Sequence, residues 1–199
     1  MIAIAIIPAR GGSRRIPHKN IKLFHGKPII AYSIDTALRS GLFDQIHVSS
    51  DDDEILTTAV KYGASVLLRS EGLGHDSVGT QEVVRDALQR IQWNVGCDYI
   101  CCIYATAPLM TTEDLQLGFE MLTKKSSRYA SDMPGPYVYT VGPNWQDAGQ
   151  WYWGTYRAFV EGVSLDEGAL YRLPPERTCD INTPEDWARA EQLYKDMHV

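Results

Sequence analysis

The chain of 199 residues has no apolar stretch approaching the eighteen or so residues that a helix needs to cross a membrane. No basic residue precedes its apolar opening, Met1 to Ile7, so the reading is of a soluble cytoplasmic protein without a secretory leader. Cysteine is scarce. Cys97, Cys101, Cys102 and Cys179 show no C-x2-C spacing and have no histidines nearby, which excludes a zinc site and reads them as small core residues. The five histidines (His18, His25, His47, His75 and His198) are scattered and offer no metal centre. Positive charge is also short: 19 Lys and Arg face 25 Asp and Glu, and a net charge of −6 argues against a nucleic-acid surface. With 44% apolar and 22% charged residues, the composition lacks the signature of disorder and fits one domain spanning residues 1–199.

One absence is local. Residues 1–34 contain no acid, yet they hold Arg10, Arg14, Arg15, Lys19, Lys22 and Lys27, while all the acids fall in the remainder. A single basic segment in an acidic protein suits a small anionic ligand better than a long polyanion.

The order of elements is that of an α/β protein. Ile2 to Ile7 is almost continuously apolar, as expected of a strand buried on both faces of a parallel sheet. Beyond Pro28, residues Ile30, Ser33, Ile34, Ala37 and Leu38 fall at helical spacing, with Gly41 as a stop. The pattern repeats with a strand through Ile46 and Val48, a cap at Ser50 or Asp51, a helix through Ile55, Ala59 and Val60, and Gly63 as its end. Further strands are expected at Val66 to Leu68 and Tyr99 to Tyr104, with helices from Val83 to Ile91 and Thr111 to Lys125. Thr111 and Asp114 stand at capping-box spacing. From Ser126 to Asn144 the periodicity fails and Pro and Gly suggest turns or a linker. A last helix opens with Thr183 as N-cap and Pro184 at its first position. Strands alternating with helices give a doubly wound, mostly parallel, Rossmann-like sheet.

In such sheets ligands bind at the carboxyl ends of the strands, where the loop from Pro8 to Asn20 must lie. Gly11 and Gly12 let backbone N–H groups approach an anion, Ser13 adds a hydroxyl, and the arginines and Lys19 neutralise several charges. The loop lacks the G-K-[ST] of a Walker motif and the G-x-G-x-x-G of a dinucleotide site. Residues 7–20, I-P-A-R-G-G-S-R-R-I-P-H-K-N, resemble the N-terminal signature of the cytidylyltransferases that activate nonulosonic, sialic-acid-like acids. The resemblance continues at Gly26 to Ala31, Val48 to Asp52, Arg69, Asp76 to Thr80 and Asp180 to Trp187. Within that family, Tyr104 to Pro108 and Asp147 to Gly154 resemble the pseudaminic-acid branch.

The resemblance implies a nucleotide-diphospho-sugar-transferase-like fold and transfer of CMP from CTP to the anomeric hydroxyl of an acidic nine-carbon sugar, with pyrophosphate released and magnesium as cofactor. It implies no nucleic-acid or membrane partner, and a homodimer is compatible with it. By motif position, Arg10, Gly11, Gly12, Ser13, Arg14, Lys19 and Asn20 would hold the triphosphate, with Arg10 and Lys19 as the catalytic cations. Ala9, Arg69, Ser77, Val78 and Thr80 would surround the cytidine; Tyr104, Thr106, Gln150 and Tyr152 would meet the sugar; Asp180 and Asn182 would bind the metal.

Structural roles compete. Arg69 equally suits a solvated strand end and Thr80 a helix N-cap, while Asp51, Asp52 and Asp53 suit capping better than metal binding. Trp145, Trp151, Tyr152 and Trp153 suit either a core or a sugar platform. Two departures stand out. Asn182 replaces the second acid of the family's D-x-D pair, and the insert around 126–144 is shorter than in relatives. A different ulosonic acid as substrate, or a CTP-binding regulatory protein without turnover, are the other readings.

Overall fold

The computed structural model describes residues 1–70, 72–75, 78–91, 96–123 and 135–198. Its frame is a seven-stranded sheet. In chain order come β1 (Ala3–Pro8), a small hairpin of β2 (Leu23–Phe24) and β3 (Lys27–Pro28), and then α1 (Ile29–Ser40). They are followed by β4 (Gln45–Ser50), α2 (Asp53–Lys61), β5 (Ser65–Leu68), α3 (Thr80–Arg90), β6 (Tyr99–Ile103) and α4 (Thr112–Thr123). The last part contains β7 (Tyr137–Val141), β8 (Asp147–Thr155), α5 (Tyr156–Glu161), β9 (Ala169–Arg172) and α6 (Pro184–Met197).

The strand order is β5-β4-β1-β6-β8-β7-β9. β5, β4, β1 and β6 run parallel, β8 is antiparallel to both β6 and β7, and β9 is parallel to β7. The sheet is therefore mostly parallel with one reversed strand, a feature that the alternation of apolar runs did not reveal.

Alternation along each strand divides the core. Ala3, Ala5 and Ile7 pack with Ile30, Ile34, Ile55, Ala59 and Leu115, so α1, α2 and α4 cover one face. Ile4 and Ile6 pack with Val84, Ala87, Leu88, Ala158 and Phe159, so α3 and α5 cover the other. In a third cluster Trp187 and Ala190 of α6 lie against Ile16, Phe24, Ile29 and Tyr32, at the root of the basic loop.

Local chemistry sets the helix ends. Gly41 takes φ +67° beyond α1, where a left-handed residue stops the helix. Asp52 caps α2, accepting from the N–H groups of Glu54 and Ile55, so the cap sits one residue beyond Asp51. At α4 the expected reciprocal bonds form between Thr111 and Asp114. At α6 Thr183 and Asp186 close a full capping box with Pro184 at the start.

Two expectations are corrected. Residues 126–134 of the expected irregular segment lie outside the described residues, but Tyr137–Val141 is strand β7, paired on both sides. Pro and Gly at both ends of this short β-branched and aromatic run masked it. The aromatic platform is also dissolved. Trp151 and Trp153 are fully buried beneath α4, with the Trp153 indole donating to the Leu115 carbonyl at 3.0 Å, whereas exposed Trp145 carries the Arg172 guanidinium over its ring. Cys101, Cys102 and Cys179 are buried free thiols, as expected, and Cys97 is half-buried.

The spacing of α4 from the sheet rests on Gly118, because a Cβ there would fall 2.6 Å from Cζ3 of Trp151. Helix propensity alone would make Gly118→Ala stabilising by about 1 kcal/mol. Overpacking reverses the sign, and we expect a net loss of about 1–3 kcal/mol in urea unfolding. A gain in stability would show that this contact does not set the packing distance.

Candidate active site

The sheet dictates where a ligand can sit. From β1 the chain proceeds to β4 and β5 on one side, then crosses to β6 on the other, so the crevice between the ends of β1 and β6 is a topological switch point. A cavity of about 250 Å³ opens there, walled by Arg10, Lys19 and Asn20 from the loop after β1 and by Tyr104 and Thr106 after β6. Its far wall is Arg69, His75, Val78 and Thr80. A second cavity of about 360 Å³ shares Arg10, Lys19 and Asn20 and continues to Ser13, Arg14, Arg15 and Asn182. The two adjoin at these shared residues, one limb having mixed polar and apolar walls and the other cationic walls.

The cationic limb is held from behind. Asn20 is buried and donates to the Arg10 carbonyl at 2.9 Å, closing the loop on itself. Lys19 donates to the Ile181 carbonyl at 2.7 Å. Burial lowers the pKa of its ammonium. Neighbouring Asp180 opposes the shift, while Arg15 and Arg10 add to it. Arg15, absent from the expected set, donates to Asn182 Oδ1 at 3.1 Å and so fixes one wall. The backbone donors are less available than glycine content suggests. Gly11 N–H is committed to Asp51 Oδ1 at 2.9 Å and Ser13 N–H to the Gly11 carbonyl, so anion contact falls mainly to side chains and Gly12.

On the opposite wall the competing roles separate. Gly79 occupies the N-cap of α3, without a side-chain cap, so Thr80 is not the cap and its position on the cavity wall is open to a ligand. Arg69 is 7% exposed and donates to the carbonyls of Ser49 and Leu73 at 2.8 and 3.3 Å, which makes it a brace for its own loop as well as a wall. Ala9 is buried in the core, its N–H is bonded to the Ser49 carbonyl, and it lines neither cavity. Ser77 lies outside the described residues.

The β6 side carries a hydrogen-bond chain. Tyr152, buried, donates to the Tyr104 hydroxyl, which donates to Asp147 Oδ2 at 3.2 Å. Asp147 also accepts from Gly149 N–H at 2.8 Å. Although the residue's edge meets solvent, burial of its carboxylate, tempered by those two donors, holds its pKa above the ordinary value, and the charge of Asp180 adds to the rise. Gly149, at φ +64°, leaves room for Asp180, whose Oδ1 lies 2.7 Å from where a Cβ would stand. Asp147 and Asp180 thus approach each other across a glycine notch. Gln150 and Tyr152 support this wall from beneath and line neither cavity. Gln150 is 2% exposed and donates to the Arg177 carbonyl at 2.6 Å, and its Oε1 has no partner among the described residues. Asp147 and His75 reach this region only through long-range folding, which leaves no local signal in the sequence.

Known proteins resemble this chain in sequence and in fold. A family model described as cytidylyltransferase matches residues 4–145. A pseudaminic acid cytidylyltransferase of Campylobacter jejuni is 37% identical over 225 aligned residues, which cover 98% of this chain and 97% of that one. A CMP-N,N'-diacetyllegionaminic acid synthase of Legionella pneumophila is 32% identical over the same shares. The 225 aligned positions exceed this chain's 199 residues, so the Campylobacter protein has residues that this chain lacks. In fold, a solved CMP:2-keto-3-deoxy-manno-octonic acid synthetase complexed with CTP superposes with a TM-score of 0.73 at 14% identity, over 99% of this chain and 100% of that one.

The lowered pKa of Lys19 has a measurable sign. A bound polyanion favours the ammonium, so above the lowered pKa binding must take up a proton, and affinity should fall as pH rises toward the ordinary lysine value of 10.5. Calorimetry with inorganic tripolyphosphate, in buffers of different ionisation enthalpy, should show that uptake in the wild type and none in Lys19→Ala. Equal proton uptake in both proteins would remove Lys19 from the anion site.

Proposed function

This chain belongs to the cytidylyltransferase family, and from that footing we propose that it transfers CMP from CTP to the anomeric hydroxyl of a nonulosonic acid, pseudaminic acid first among them, and releases pyrophosphate. The observation that carries the reading is the pair of adjoining cavities at the switch point, which share Arg10, Lys19 and Asn20. Its cationic limb matches a triphosphate, and its mixed limb between Arg69, Val78 and Thr80 has the size and wall chemistry for one nucleoside. Residues 1–199 act as one catalytic unit in this reading.

In the reaction the anomeric oxygen attacks the α-phosphorus, the bond to the bridging oxygen of pyrophosphate breaks, and the hydroxyl proton passes to water. Little covalent chemistry falls to the protein, whose part is positioning and charge stabilisation. Arg10 and Lys19, common to both limbs, stand where charge grows on the departing pyrophosphate. Arg14 and Ser13 hold its outer end, and Asn20 keeps the Arg10 backbone in place. Tyr104 and Thr106 face the acceptor sugar, with Tyr152 and Gln150 supporting them.

Magnesium is the proposed cofactor. Among the described residues no three acids, histidines or cysteines gather into a protein-only metal site. Magnesium, however, commonly takes one or two carboxylates and completes its shell with substrate phosphates and water. Asp180 and Asp147, hard oxygen donors across the Gly149 notch, fit that arrangement, and bound metal would neutralise phosphate charge there. Asn182 is occupied otherwise: its Oδ1 accepts from Arg15 and its amide donates to Asp180. Its expected part as second ligand is thereby reduced to steadying the first.

A coupled pyrophosphate assay with CTP and pseudaminic, legionaminic and neuraminic acids tests the whole reading. Turnover should require CTP and be fastest with pseudaminic acid; CTP binding with no turnover on any of the three would favour a regulatory binding protein. Arg10→Ala and Lys19→Ala should each lower kcat by on the order of 10²–10³-fold while circular dichroism stays unchanged. Asp180→Asn should raise the magnesium concentration needed for half-maximal rate, and an unchanged titration would reject Asp180 as the ligand.

A further inference from the structure

Two adjacent acids at the end of β4 do different work. Asp52 caps α2. Asp51 does not; its Oδ1 takes the Gly11 N–H at 2.9 Å, and its Oδ2 fills the space in which a side chain of Gly74 would begin. Neither Gly11 nor Gly74 has a positive φ, so both are glycine for room and not for conformation. At Gly11 the room is taken by Asp52, whose Oδ2 and Cβ lie 2.5 and 2.8 Å from where a Cβ would be. Among the acids, Asp51 acts most strongly on the Arg69 guanidinium, which is also bonded to the Leu73 carbonyl of the same loop as Gly74. The two loops that wall the nucleoside limb, one bearing Arg10 and the other bearing Leu73 and His75, therefore meet on one carboxylate. An anion beside a site built for a triphosphate is electrostatically unfavourable, and a capping role does not account for it.

We propose that Asp51 is a positioning residue for the nucleotide: it holds the Gly11 turn and the 72–75 loop at the separation that one pyrimidine nucleoside triphosphate fills. It thereby sets nucleotide affinity and selectivity without touching the substrate. The inference rests on the CTP reading above for its ligand, but the latch itself is measurable without any nucleotide.

Amide hydrogen exchange at Gly11 should be slow in the wild type and, with a charge-assisted bond removed, about tenfold faster or more in Asp51→Ala. By calorimetry, Asp51→Ala and Gly74→Ala should each weaken CTP binding by about tenfold, a loss of the size that one hydrogen bond to a charged group supplies. Asp51→Asn, which keeps the acceptor for Gly11, should restore most of the affinity. Preference for CTP over ATP should narrow in Asp51→Ala, while KM for the acidic sugar and the melting temperature hold. The double variant Asp51→Ala/Gly74→Ala should bind no worse than Asp51→Ala, because the new methyl enters space the carboxylate has vacated. Additive losses in the double variant, or wild-type exchange and affinity in folded Asp51→Ala, would overturn the proposal. If Asp51→Ala does not fold, Asp51→Asn and Gly74→Ala decide by the same two readouts: retained affinity in the first and loss in the second support the latch, and any other result rejects it. A wild type that protects Gly11 yet binds no CTP would refute the substrate reading and leave the latch standing.

Discussion

Holding Arg10, Arg14, Arg15 and Lys19 within one loop is the constraint on which the rest of the structure depends. Like charges at this density repel, and without a ligand the folded chain must restrain them with its own groups. It does so from a distance in sequence. Lys19 reaches the Ile181 carbonyl, Arg15 reaches Asn182, and Asp51 holds the Gly11 N–H from β4. The segment 180–182 is in turn fixed by the capping box of α6, since Asp186 accepts from the N–H groups of both Asn182 and Thr183. Helix α6 then buries Trp187 and Ala190 against Ile16 inside the same loop. The last helix in the chain thus serves the first loop, and burial of apolar surface supplies free energy that offsets the repulsion between the cations.

That dependence explains which parts of the fold could be read from sequence. β1 is legible because a strand covered on both faces is continuously apolar, and α6 because Thr183, Pro184 and Asp186 write its start in adjacent residues. The half of the sheet beyond β6 is not legible. β8 is reversed, and both its faces are buried; its run of Trp151, Tyr152 and Trp153 has no alternation to betray a strand and looks like a binding platform. β7 is only five residues, bracketed by turn formers, and becomes a strand because β8 and β9 flank it. In each case the deciding interaction is a pairing partner distant in sequence, which local propensity does not encode.

The site divides the same way. Arg10, Lys19 and Asn20 lie in one short basic motif and Thr80 in a second segment that shares the family resemblance, and the structure gathers all four around one cavity. Arg69 could not be resolved from sequence, and the structure shows why: it is a buried side chain and not a solvated strand end, and it braces its loop while lining the cavity. Gly11 illustrates the opposite error. Its smallness suggests a phosphate cradle, but the room it leaves is occupied by Asp52 and its donor is taken by Asp51. A glycine in a nucleotide loop is therefore as informative about the protein groups behind it as about the ligand in front.

Asn182 is best understood through its two bonds. Its amide has an oxygen for the Arg15 guanidinium and a nitrogen for the Asp180 carboxylate, so it bridges a cation and an anion at once. A carboxylate in that place could accept from Arg15 but would repel Asp180, and with Asp147 it would bring a third negative charge to the notch. Three carboxylates there would repel one another strongly, whereas the amide steadies Asp180 without adding charge. The neutral residue therefore limits repulsion within the notch, where the negative charge is left to Asp180 and to Asp147, and the Tyr152 to Tyr104 hydrogen-bond chain holds Asp147 in place from the other side.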